Sequence, residues 1–110
     1  QMATNNAPPK LKKDVDVIEC ARRGMYSPLV EFIEKNNPDV NEQNQNGEYA
    51  IVCATERNDF LMVKTLVEHG ANLDVKSGSM QTTALQMAMY HKNNELIEFI
   101  VKQLMYEFRA

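Results

Sequence analysis

The sequence contains no tryptophan, two cysteines, two histidines, four glycines and four prolines. Two cysteines cannot form the disulfide framework that staples small secreted domains, so a reducing, cytoplasmic location is expected. No apolar run approaches the roughly 18 residues that a membrane span needs. Residues 1–13 are polar and lack the apolar stretch of a signal peptide. An excess of positive charge is also missing. The formal net charge is -3, whereas nucleic-acid binders present a basic face, so no nucleic-acid partner is expected. Cys20, Cys53, His69 and His91 are the classical nucleophile, base or soft-metal candidates. None has C-x-x-C or H-x-x-x-H spacing, and each has a structural explanation, so no enzyme activity, cofactor or metal site is expected. Gly47 and Gly78 are isolated and lack the context of a phosphate-binding loop; they read as turn residues.

What is present is ordinary for one globular domain: 110 residues, 44% apolar and 25% charged. With 7% aromatic residues and seven methionines, its core is aliphatic, with Met filling gaps. Residues 1–13, with Pro8-Pro9 and Lys10, Lys12 and Lys13, read as a flexible tail. The remainder, 14–110, is helical in pattern and divides at about 14–45, 46–78 and 79–110. In the first unit Val17, Ile18 and Ala21 share one helical face before Gly24, and Ser27-Pro28 reads as the N-cap and first residue of a second helix. In the second unit the pattern predicts helices over 50–57 and 60–69, with Asn58-Asp59 between them and Gly70 as terminator. In the third, Thr83-Ala84-Leu85-Gln86 is a capping box. It opens a short helix over 84–91, and a last helix runs from 95 to about 108.

The units repeat. Ala21, Ala54 and Ala88, central in the three short helices, are separated by 33 and 34 residues. Asp39-Val40-Asn41 matches Asn72-Leu73-Asp74, again 33 apart. A small residue within each short helix suits close packing of neighbouring backbones. One helix pair cannot bury its own apolar face, so such units stack. The expected fold is an all-α solenoid of about three helix–turn–helix repeats with short hairpin loops.

The segment at 47–74, G-E-Y-A-I-V-C-A-T-E-R-N-D-F-L-M-V-K-T-L-V-E-H-G-A-N-L-D, resembles the ankyrin repeat, whose pattern is roughly G-x-T-P-L-H-x-A-A-x-x-G-H-x-x-V-V-x-x-L-L-x-x-G-A-D-V-N. Thr83, Leu85 and Ala88 keep the pattern in the third unit, and Val17, Ile18, Ala21 and the later D-V-N keep it in the first. Tyr49-Ala50 replaces Thr-Pro, and Val52 and Gln86 replace the motif His, which in the family hydrogen-bonds between repeats. The third unit runs into a long helix rather than its own G-A-D-V-N, as a terminal cap or part of a longer array would. The resemblance implies a protein-interaction module whose hairpin tips, here 43–48 and 76–81, and short helices line a concave face. Outward residues of those helices, expected to touch a protein or peptide partner, are Arg22, Arg23, Cys53, Glu56, Arg57, Met87, Tyr90 and His91. Met87 and Tyr90 are the expected apolar anchor, and Arg22, Arg23 and Arg57 suit an acidic segment.

A narrower likeness concerns the loop V-K-S-G-S-M-Q-T at 75–82, one residue longer than the consensus, and Ala21, Gly24 and Tyr26 in the first unit. Both are similar to the early repeats of ankyrin-bearing DHHC palmitoyltransferases. This implies, as an alternative, the substrate-recruiting domain of a membrane-bound acyltransferase acting at the cytosolic face. The family's H-W-A is replaced here at Cys53 and Met87, and no DHHC motif is present. Separately, Ile97, Ile100, Val101, Leu104, Met105 and Phe108 make the last helix apolar enough to suggest self-association.

Overall fold

A computed structural model describes residues 16–109; the expected tail at 1–13 lies outside them. Among the described residues six helices form three helix–turn–helix pairs: α1 (Val17–Arg23) with α2 (Tyr26–Asn36), α3 (Ala50–Glu56) with α4 (Phe60–Glu68), and α5 (Ala84–Tyr90) with α6 (Asn94–Arg109). Among the described residues there is no strand, only an isolated antiparallel bridge between Ser77 and Thr82.

Local chemistry sets the helix ends. Asp16 caps α1 by accepting from the Glu19 amide at 2.8 Å. Gly24, at φ 71°, ends it in the left-handed region. Asp59 caps α4 through the Met62 amide. The Thr83 hydroxyl and Gln86 side chain make the expected capping box on α5. The start of α2 differs from expectation. Met25 occupies the N-cap position without a side-chain cap, and Ser27 and Pro28 lie in the first turn. The cause is the tightness of the preceding turn: the Met25 amide returns to the Cys20 carbonyl at 2.9 Å. The helix therefore resumes before Ser27 is reached. Pro28 is tolerated there, because first-turn amides have no intrahelical partner.

The stack is held by the short helices. Ala21, Ala54 and Ala88 are completely buried, and their small side chains let α1 pack on α3 and α3 on α5. The long helices approach one another far less closely. The short helices thus form the closely packed layer of the array and the long helices the looser one. Leu29, Met62, Leu66, Leu96 and Ile100 fill the space between the short and long layers and are fully buried.

Candidate functional site: the short-helix face

The hairpin tips continue the stack beyond the short helices. Gly47 and Gly78 take φ 73° and 71°, conformations that glycine enters without strain. The Gly78 amide donates to the Gly47 carbonyl at 2.9 Å, tying one tip to the next. The Tyr49 amide donates to Ser77 Oγ at 2.9 Å, which accounts for the burial of that serine. Between the first and second units Asn41 Nδ2 donates to the Gly70 carbonyl, and Asn41 Oδ1 accepts from the Asn72 amide. His91 Nε2 donates to the Glu56 carbonyl at 2.6 Å, and Asn93 Nδ2 to Asn58 Oδ1 at 2.8 Å. The cross-repeat bonds that the missing motif histidines would have made are thus supplied by other residues. Sequence reasoning missed this ladder, although Asn41, Asn58 and Asn93 all sit in the connections between helices, where a side-chain amide serves as both donor and acceptor.

Between α3, the 75–82 hairpin and α5 lies a cleft of about 180 Å³ lined by Glu48, Val52, Cys53, Glu56, Ser77, Gly78, Ser79, Met80, Thr82 and Met87. Its lining mixes the apolar side chains of Val52, Met80 and Met87 and the Cys53 thiol with the hydroxyls of Ser77, Ser79 and Thr82 and the carboxylates of Glu48 and Glu56. Glu48 accepts from Arg22 Nη2 at 2.8 Å and from Asn44 Nδ2 at 2.8 Å. These bonds, Arg22 foremost, hold its carboxyl below the usual carboxylate range and raise the Arg22 guanidinium in turn. Glu56 is exposed and makes no ion pair among the described residues.

The expected partner-contacting residues are therefore divided. Arg22, Arg23, Glu56, Arg57 and Tyr90 are exposed, but the arginines differ in commitment. Arg22 is clamped to Glu48, Arg23 pairs with Glu19 at 3.1 Å, and Arg57 lies over the bare backbone of Gly24, 3.9 Å from Asp59. Met87 and His91 are half-buried. Cys53 does not point outward as expected. It is 5% exposed at the cleft floor, because α3 is covered on both flanks by α1 and α5. Burial, with a smaller contribution from Glu48, pushes its thiol up to about 11, so it is a neutral thiol and not a reactive thiolate. Cys20 is likewise buried and unpaired. Among the described residues no group of three or more His, Cys, Asp or Glu is placed to hold a metal ion, and no helix is long and apolar enough to cross a membrane.

The family model for ankyrin repeats (three copies) matches residues 17–108. The chain belongs to the ankyrin-repeat family. It is 26% identical over 92 residues to mouse ankyrin repeat and SAM domain-containing protein 6, an alignment covering 84% of this chain and 10% of that protein. It is 23% identical over 83 residues to putative ankyrin repeat protein L38 of Acanthamoeba polyphaga mimivirus, covering 76% and 39%. Thus it spans well under half the length of these relatives. A chain in the structure of the predatory endopeptidase Bd0816 from Bdellovibrio bacteriovorus in complex with immunity protein Bd3460 superposes with a TM-score of 0.68 at 26% identity, covering 78% of this chain and 44% of that one. Ankyrin repeats are known as protein-interaction modules.

Proposed function

We propose that this ankyrin stack binds a partner protein or peptide through its concave face, formed by α1, α3, α5 and the two hairpin tips. The observation that carries this reading is the cleft between α3, the 75–82 hairpin and α5, with Met80 exposed in its lining and Tyr90 exposed at the end of α5. Large apolar side chains and an adjoining concavity are the usual ingredients of an interface centre. The endopeptidase–immunity protein structure, a complex of two proteins, supports the same reading. Pull-down with the wild-type chain and an Arg57→Glu, Tyr90→Ala double variant tests it. The partner should be lost from the double variant and retained by Lys64→Glu, an exposed change on α4. A partner retained by the double variant would count against this face.

The recruiting-domain alternative rests on the long loop before Thr83. That loop is accounted for locally: Ser77 and Thr82 close it as a hairpin, and Gly78 docks on Gly47. The interaction module is therefore the preferred reading. A second mode, self-association through α6, is favoured by the exposure of Val101 (37%), Met105 (59%) and Phe108 (89%). Ile100, expected on that face, is instead fully buried against the stack. Light scattering across micromolar concentrations checks this mode, and a monomeric mass throughout would remove it.

A further inference from the structure

Arg23, Glu56 and Tyr90 occupy the same position of the three short helices, 33 and 34 residues apart, and all three are exposed. They form a row along the stack: cation, anion, aromatic ring. Packed helices lie about 8–10 Å apart, so each step of the row is close to 10 Å. A segment in the extended polyproline II conformation advances about 3.1 Å per residue with three residues per turn, so every third residue lies on one face and meets successive members of the row.

The middle of the row has the least compensated charge. Arg22 is held by Glu48 and Arg23 touches Glu19, whereas Glu56 has no cation within ion-pair distance among the described residues. Beside Glu56 the cleft offers about 180 Å³, walled by Met80, Met87 and Val52. A cavity of about 150 Å³ holds a benzene-sized group, so there is room for one long side chain. Met80, Met87 and Val52 beside the Glu56 carboxylate fit a side chain with a methylene stem and a charged head.

Resting on the concave-face reading above, we propose that the cleft takes an Arg or Lys side chain from an extended partner segment, its head at Glu56 and its stem against Met80 and Met87. About three residues to one side of that basic residue the segment carries an acidic residue facing Arg23. About three residues to the other side it carries an apolar residue facing Tyr90. Glu48, in the same cleft lining, is already paired with Arg22, which leaves Glu56 as the carboxylate that receives the basic head.

Selection of phage-displayed random peptides against the whole 110-residue chain, followed by fluorescence anisotropy of the enriched peptides, tests this. Enriched sequences should share a basic residue with an acidic and an apolar residue on opposite sides at about three-residue spacing. Glu56→Gln, close in shape, and Glu56→Lys should both weaken binding, the charge reversal by about tenfold or more. Circular dichroism of both variants should match wild type, since Glu56 is exposed. Enriched peptides without a basic residue, or affinity unchanged in Glu56→Lys, would overturn the cation-in-cleft inference. If such peptides still lost affinity in Tyr90→Ala, the concave-face reading would stand alone. An absence of any enriched peptide would overturn the inference too, while leaving the pull-down as the separate test of the face.

Discussion

In α3, in the middle of the stack, six of seven residues are buried; in α6, at its end, two of sixteen are. Hydropathy does not account for this difference, since α6 carries Ile97, Phe99, Val101, Leu104, Met105 and Phe108 as well. Neighbours do. Thr55 and Val63 of the second unit are fully buried, while their register equivalents in the third, Met89 and Ile97, are 57% exposed and half-buried. Each unit in a solenoid is covered by the next, so stability divides into a term within each unit and a term between adjacent units. Residues covered on both sides belong to both terms, and those at an open end belong to one.

The largest expected effect follows directly. Leu66→Ala removes a fully buried side chain between the layers and should cost about 2–5 kcal/mol. Phe108→Ala, 89% exposed, should change stability by less than about 0.5 kcal/mol. Urea denaturation of both variants checks the contrast. Equal losses would mean that α6 is as deeply packed as the middle of the stack.

Gly24→Ala comes next. It forces a side chain onto a residue at φ 71° and into the space taken by the Arg57 guanidinium. A loss exceeding about 1 kcal/mol is expected where a left-handed glycine gains a side chain. The double variant Gly24→Ala, Arg57→Ala should recover the steric part of that loss.

The smallest effect is electrostatic. The Glu48 carboxyl is held low by Arg22 and Asn44. A lowered folded-state value contributes stability above the ordinary carboxylate range, and that stability is lost as pH falls through the lower folded value. The Cys53 thiol runs the other way. Raised from 9.0 to about 11, it contributes stability at neutral pH that is lost as pH rises across that interval. Denaturation against pH should show a shallow loss at each limb. Arg22→Gln should flatten the acid limb and Cys53→Ser the alkaline one.

The repeat, its helices and its family could be read from the spacing of Ala21, Ala54 and Ala88 and from the 47–74 motif, because alanines at fixed intervals and Gly70 after α4 report local requirements. What could not be read depended on the stacked neighbours. On one short helix Cys53 looks outward; it is the flanking α1 and α5 that enclose it. The Asn41, Asn58 and Asn93 ladder likewise joins groups 29 to 35 residues apart, which no local pattern reveals. Arg22, Arg23 and Arg57 looked equivalent in sequence, yet their partners, Glu48, Glu19 and Gly24 with Asp59, set them apart.

The proposed partner site lies on the open side of the short helices, and hydrogen exchange of the chain with a captured partner tests this most directly. Bound partner should slow exchange in the 43–48 and 76–81 tips and at the exposed ends of α3 and α5, with α2 and α4 unchanged. Protection confined to α2, α4 and α6 would contradict the assignment of the concave face.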